Sequence, residues 1–255
     1  MFSLKGKTAF ITGSTSGIGL AIAKNYMANG ATVFISGRRK EGKAIAKEIG
    51  AVFIRQDVSK EKQVIAAFEK AVNLAGKLDI VVLNAGIAED TEGLEATPTE
   101  VMKRIIDINL YGVYYGLKYA PAQMNDGGSI IVTGSAAGSG ITTFGYGEYA
   151  ASKAGAAYLV RSSAIELAPR AIRVNAICPA AIAGTGMMVE DDGSETAKFY
   201  GGLTALGRMG KISEAIPLYN FLAGNGSTFI TGQEIRVDGG MSAGFGLGIV
   251  NALGH

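Results

Sequence analysis

Short runs of apolar and β-branched residues alternate along the chain with longer stretches whose apolar positions recur at helical spacing. Thr8–Thr12, Thr32–Ser36, Val52–Arg55, Ile80–Leu83, Ile130–Thr133, Ile172–Ile177 and Ile235–Val237 read as strands. Short, mostly apolar and set between helices, they follow the pattern of a parallel sheet covered on both faces. Ile18–Asn29, Arg39–Ile49, a stretch from about Lys60 to Ala75, and Tyr149–Leu167 read as helices, with Gly30 and Gly50 as stops after the first two. Thr97-Pro98-Thr99-Glu100 predicts a helix start with Thr97 as N-cap, Pro98 first and Glu100 third. That helix carries Asn109 and runs to about Tyr119. The alternation predicts an α/β fold: a doubly wound parallel sheet in one domain over residues 1–255, without repeat, low-complexity tract or linker.

Composition narrows the function classes. At 255 residues the chain can bury a large core in one domain. A net charge of +2 gives no reason to expect nucleic acid or an anionic membrane as partner. No apolar run reaches the ~18 residues of a membrane span, and the N-terminal MFSLKGK lacks the apolar core of a signal peptide. Cys178 is the only cysteine, so no disulfide framework forms within one chain. A soluble, cytoplasmic protein is expected. No metal site is expected, since there is one histidine, His255, and Glu190-Asp191-Asp192 lacks ligand spacing.

The chemistry concentrates between Gly134 and Lys153. Tyr149 and Lys153 are four apart on a helix, so phenol and ammonium share one face. A phenol titrates near pH 10, and lowering it by about three units needs roughly 4 kcal/mol. One cation at about 4 Å and an effective dielectric near 20 supplies about that much. Ser135 lies just past a strand end, where its hydroxyl orients a carbonyl beside the phenol. This is a general acid/base site in outline.

Thr12-Gly13-Ser14-Thr15-Ser16-Gly17-Ile18-Gly19 joins the first strand to the first helix. Its glycines let the backbone turn sharply and approach a pyrophosphate at the helix N-terminus. The second strand ends in Ser36-Gly37-Arg38-Arg39. An NAD site usually places an acid there for the ribose 2′-hydroxyl, whereas a 2′-phosphate needs a cation. Arg38 can hold a phosphate through paired charge-assisted hydrogen bonds, which favours NADP(H). The bland alternative is that both arginines are solvated and NAD(H) serves as well.

Asn84-Ala85-Gly86 closes one apolar run, Asn109 follows Asp107-Ile108, and Pro179 closes the run from Val174. TGxxxGxG, NAG, Asn, Ser and YxxxK, in this order and over about residues 5 to 240, resemble the short-chain dehydrogenase/reductase family. The resemblance implies a Rossmann-type sheet of seven strands and reversible hydride transfer between nicotinamide C4 and the carbonyl or alcohol carbon of a small molecule. It implies that Tyr149 donates the proton in reduction, Ser135 holds the carbonyl oxygen, Lys153 lowers the phenol pKa and binds the ribose, and Asn109 supports a water relay. For the cofactor it implies Gly13, Ser14, Ser16, Gly17, Ile18 and Gly19 in the phosphate loop, and Arg38 with Arg39 beside the adenosine ribose. Asp57 and Val58 match the adenine edge, and Asn84, Ala85 and Gly86 the nicotinamide ribose. Pro179, Ile182 and Thr185 match the nicotinamide end. It also implies a homotetramer, and the small residues Ala154, Gly155, Ala156 and Ala157 would permit close helix contacts between subunits.

The sequence departs from the family pattern in three places. Ser135 precedes Tyr149 by fourteen residues, one more than is common, which places an extra residue in the loop Gly138–Gly147. The usual Pro-Gly is Pro179-Ala180, and Thr185 falls one place late, which puts its contact with the carboxamide in question. The tail runs on from residue 241 to 255, apolar enough to be expected to pack on a neighbouring subunit. Residues 184–205 form the substrate-loop region, where Met187, Met188, Phe199 and Tyr200 are candidates for an apolar lid. Two other readings compete. A 3-oxoacyl-carrier-protein reductase would dock an acidic carrier on cations before the serine strand, but Gln123-Met124-Asn125-Asp126 has none. A non-catalytic nucleotide sensor would need no proton relay.

Overall fold

Successive residues of the central strands fill two different cores, which is why those strands read as unbroken apolar runs. Phe10, Phe34, Val81, Ile130 and Ala176 enter one core. Their neighbours Ile11, Ile35, Val82, Ile131 and Ile177 enter the other. The computed structural model describes residues 2–89, 91–188, 190, 193–244, 246 and 250. Its strands are β1 (Thr8–Ile11), β2 (Thr32–Gly37), β3 (Val52–Arg55), β4 (Leu78–Leu83), β5 (Met124–Thr133), β6 (Arg173–Pro179) and β7 (Glu234–Val237). All pair in parallel, in the order β3-β2-β1-β4-β5-β6-β7. The strand order reverses between β1 and β4, so a crevice opens beyond their C-terminal ends.

The helices are α1 (Gly17–Ala28), α2 (Gly42–Ile49), α3 (Glu61–Ala75), α4 (Thr99–Ile106), α5 (Gly112–Tyr119), α6 (Gly147–Leu167), α7 (Glu195–Gly202) and α8 (Ile212–Ala223). Helices α1, α2 and α8 cover one face of the sheet, through side chains such as Ile22, Ala46 and Tyr219. The opposite face is covered by α3, α5 and α6, through Phe68, Val113 and Val160. A π-helical turn, Asp107–Tyr111, joins α4 to α5 in one continuous helix.

Several boundaries differ from the sequence reading for identifiable reasons. Helix α4 starts at Thr99 with Pro98 as its cap, because the Thr97 hydroxyl is drawn back to the Gly93 carbonyl at 2.7 Å. Helix α2 starts at Gly42 and leaves Arg38, Arg39 and Lys40 on an exposed loop. A Cβ on Gly42 would lie 2.2 Å from the Phe53 ring, so glycine is what lets α2 close on β3. Helices α7 and α8 were absent from the sequence reading. Pro217 sits inside α8 and reads locally as a helix breaker.

Most of the small residues of α6 are used for packing within the chain. Ala156 and Ala157 are buried within the chain, and Gly155 faces Leu110 of the π-helical turn. They bring α6 close to its own sheet and to the helix carrying Asn109, while Ala154 stays exposed. Of the tail, only residues 241–244, 246 and 250 are described, and most of the side chains expected to pack on a neighbour lie outside the described residues. Asp191 and Asp192 also lie outside them.

Candidate active site

The crevice holds a cavity of about 410 Å³ that runs from the end of β2 to the start of α6. Its floor is the loop between β1 and α1. Gly13 has φ +62°, and a Cβ there would lie 2.6 Å from the Ala85 Cα. A Cβ on Gly19 would lie 2.5 Å from both the Gly13 carbonyl and the Asn84 amide nitrogen. These two glycines are therefore required by the approach of the loop to the Asn84-Ala85 turn, before any ligand is considered. Gly17 lies equally close to the chain on the other side of the crevice, where a Cβ would meet the Thr185 carbonyl at 2.7 Å. Thr185, Ile182 and Pro179 all border the cavity despite the altered spacing after β6.

Ser14 does not reach the cavity, contrary to the sequence reading. Its hydroxyl is buried, donating to the Ile11 carbonyl at 2.6 Å and accepting from the Ser36 N–H at 3.0 Å. Its own N–H is used by the Ser36 carbonyl. Thr15, Ser16 and Ile18 line the cavity instead, together with Gly13, Gly17 and Gly19. Asn84 also spends its side chain internally: its amide donates to the carbonyls of Thr12 and Gly13 and accepts from Thr133. It ties the ends of β1, β4 and β5 together, and Ala85 and Gly86 beside it border the cavity.

At the far end stand Arg38 and Arg39, both exposed, both lining the cavity, and without an ion-pair partner among the described residues. Asp57 and Val58 line the same end. The Asp57 carboxylate holds the N–H and hydroxyl of Ser59 at 3.0 and 2.8 Å, so it organises the turn into α3 as well as facing the cavity. Gln56, which the sequence reading missed, is 1% exposed and also lines this end. Its Oε1 accepts from Ser36 at 2.7 Å, while its Nε2 is buried without a partner. A dinucleotide fits these residues on three counts. The first turn of α1 contains no acidic residue, and among the described residues two guanidiniums have no carboxylate partner and a buried amide donor is left unsatisfied.

At the other end Ser135 and Tyr149 border the cavity together, and the Ser135 hydroxyl acts on the phenol to lower its pKa. Lys153 is 3% exposed, donates to the Thr133 carbonyl at 2.8 Å, and sits 5.6 Å from the Tyr149 ring centre. Asn109 is fully buried in the π-helical turn. Its amide pairs with both backbone groups of Ile87 at 2.8 Å and donates to the Ser152 hydroxyl at 3.0 Å. A Cβ on Gly86 would lie 3.2 Å from both Asn109 Oδ1 and Lys153 Nζ, so the bare Gly86 backbone lies over both side chains. Asn109 lies within the π-helical turn with its side chain turned inward.

A family model described as enoyl-(acyl carrier protein) reductase matches residues 13–242. The chain is 38% identical over 243 residues to a mitochondrial borneol dehydrogenase of Lavandula x intermedia, covering 94% of this chain and 92% of that protein. It is 35% identical over 251 residues to the NADP-dependent (R)-specific alcohol dehydrogenase of Lentilactobacillus kefiri, covering 94% and 98%. A solved short-chain dehydrogenase/reductase from Serratia marcescens superposes with a TM-score of 0.88 at 32% identity, covering 94% and 99%. The chain belongs to the short-chain dehydrogenase/reductase family.

In this short-chain dehydrogenase/reductase, burial shifts both titrating groups at the tyrosine end. Burial pushes the Tyr149 phenol above its ordinary value, and the Ser135 hydroxyl partly offsets the rise. Burial lowers the Lys153 ammonium from 10.5 to about 8. Lysine and phenol are not bonded to each other; the ammonium is held by Thr133 and faces the ring. The Lys153 shift has a consequence for stability. Its folded pKa lies below the unfolded one, so burial of the ammonium penalises folding fully below about pH 8, and the penalty fades towards 10.5. Raised tyrosine pKa values cost stability only above about pH 10. Without cofactor, wild type should therefore gain up to about 2 kcal/mol between pH 7.5 and 9.5 relative to Lys153→Met. Denaturant melts of both proteins across that range measure it; parallel curves would contradict the buried ammonium.

Two further groups escaped the sequence reading. Thr133, Asn84 and Tyr219 form a buried chain, with Thr133 Oγ1 2.9 Å from the Tyr219 hydroxyl; it depends on α8, which was not foreseen. The loop after Ser135 is fastened to β7. Ser139 donates to Glu234 at 2.9 Å, Arg236 donates to the Ser139 carbonyl, and Arg161 pairs with Glu234 at 2.9 Å. Nothing in the local sequence around Ser139 signals a partner 95 residues away.

Proposed function

We propose that this chain transfers hydride reversibly between NADP(H) and a ketone or secondary alcohol. One observation carries the reading: Ser135, Tyr149 and Lys153 border the same cavity as the glycine loop and Arg38. When bound, the nicotinamide supplies or takes the hydride, and its oxidised ring adds a positive charge at the tyrosine end. Tyr149 gives its proton to the carbonyl oxygen in reduction and takes it back in oxidation. Ser135 holds that oxygen through the hydroxyl that otherwise acts on the phenol. Lys153, anchored on the Thr133 carbonyl, keeps donors for the ribose and a charge that favours phenolate. Asn109 fixes the backbone of Ile87 and supports the proton relay behind the lysine.

Arg38 and Arg39 support NADP(H) over NAD(H), as does the name of the NADP-dependent alcohol dehydrogenase relative. The carrier-protein reductase reading gains nothing. Arg170 lies beside Asp126, but its guanidinium is taken up by Asp126 and the carbonyls of Pro121 and Met124. No described helix is long and apolar enough to cross a membrane, and a cytoplasmic enzyme remains the reading. A homotetramer is supported by Tyr111, Tyr114, Tyr158 and Ile165, exposed on the outer faces of the helices around the site.

The test is the pH dependence of alcohol oxidation. Oxidation needs the phenolate, so kcat/KM should rise with pH, and the limb should move upward in Lys153→Met. A limb unmoved by the lysine change would contradict the roles given to this pair.

A further inference from the structure

The two ends of the cavity differ in charge. Among the described lining residues the charged side chains are Arg38, Arg39, Asp57 and Lys153. The first three stand at the ends of β2 and β3, and Lys153 is tied to the Thr133 carbonyl. Beyond Tyr149 the wall is mainly Ile141, Thr143, Tyr146, Met187, Met188, Tyr200 and Met241. Tyr146 stands edge-on to Tyr149 with ring centres 6.3 Å apart, and Ile141 bridges Ala137, two residues after Ser135. Phe199, stacked edge-on against Tyr200 at 5.5 Å, extends this surface outward. No carboxylate, amide or cation lies among these residues. A substrate carboxylate or phosphate here would lose its water without gaining a partner. A polyol would find only the hydroxyls of Thr143, Tyr146 and Tyr200 along an otherwise apolar wall, too few to replace its water at every position. Three methionines give a wall that adapts to different apolar shapes.

We infer that the substrate is an uncharged, apolar ketone or secondary alcohol, accepted with tolerance for the shape of its hydrocarbon part. The inference rests on the hydride-transfer reading and adds the substrate class.

The experiment compares ketones matched in shape: an aryl methyl ketone, the same ketone carrying a ring carboxylate, an alicyclic ketone and a polyhydroxy ketone. With NADPH in excess, kcat/KM for the neutral apolar ketones should exceed that of the carboxylate and the polyol by at least about a hundredfold. In parallel, calorimetry on the NADP⁺-loaded protein should show binding of the apolar alcohols and much weaker binding of their charged counterparts. Met187→Arg, at a half-exposed position on the wall, should raise kcat/KM for the carboxylate ketone at least about tenfold and leave cofactor affinity unchanged. Preference for the carboxylate or polyol in either measurement would overturn the inference and leave hydride transfer standing. Failure of the apolar alcohols to bind would also overturn it. Preferential binding of apolar alcohols with no turnover of any ketone would uphold the apolar pocket and overturn the hydride reading.

Discussion

Tyr149→Phe should retain cofactor binding and lose about two to four decades of turnover, the usual worth of general acid–base catalysis. The substitution removes one oxygen and its proton. The ring keeps its edge-on contact with Tyr146 and its place over Lys153. The Ser135 hydroxyl keeps the Ala137 N–H as a donor at 3.2 Å, so its position has a support that the substitution leaves in place. Arg38, Gln56 and the glycine loop stand at a distance along the cavity, and cofactor titration should give an unchanged Kd. Tyr146→Phe is the control, since that hydroxyl has no assigned part in proton transfer, and its turnover should fall far less. Near-normal turnover in Tyr149→Phe would place the proton donor elsewhere.

Arg38→Ala should weaken NADP(H) binding by roughly one to two decades and change NAD(H) binding much less. A hydrogen bond to a charged group is worth about 1.5–3 kcal/mol, and about 1.4 kcal/mol corresponds to tenfold. Arg38 is exposed and has no carboxylate partner among the described residues, so its removal orphans no buried charge. Gly37→Asp should act from the other side, repelling a 2′-phosphate and offering the ribose hydroxyl an acceptor. The new Cβ would lie 3.3 Å from Thr15 Cγ2 and 3.4 Å from its Oγ1, a contact that a small shift of one side chain relieves. Gly37→Ala isolates that steric part. Preference should move towards NAD(H) in Gly37→Asp and stay nearly unchanged in Gly37→Ala. A wild type that prefers NAD(H), with a ratio insensitive to Arg38, would overturn the cofactor assignment.

The sheet was legible because strands buried on both faces leave dense apolar runs: all seven foreseen strands are present, with β5 starting six residues earlier than read, across the polar Asn125-Asp126 and two glycines. The catalytic end was legible because its spacing is local: Tyr149 and Lys153 lie on one helix, and Ser135 follows one strand. What stayed hidden depends on distant chain. Helix α8 was masked by Pro217, and with it the Tyr219 hydroxyl under Thr133. The inward turn of Ser14 is set by Ser36 of the next strand, and the orphaned Gln56 amide by the same residue. The resting place of the lysine ammonium was hidden for a related reason. Spacing of i and i+4 puts two side chains on one face, but the Thr133 carbonyl decides where the ammonium rests.

The central claim is hydride transfer to a carbonyl carbon, and isotope transfer tests it most directly. NADPH deuterated at nicotinamide C4, separately on each face, is incubated with the protein and a neutral aryl ketone. The alcohol is then analysed by mass spectrometry and NMR. The account predicts one deuterium on the carbinol carbon from one of the two labelled forms, with label transfer lost in step with turnover in Tyr149→Phe. Cofactor that binds with the affinity set by Arg38, yet passes no deuterium to any ketone offered, would contradict it.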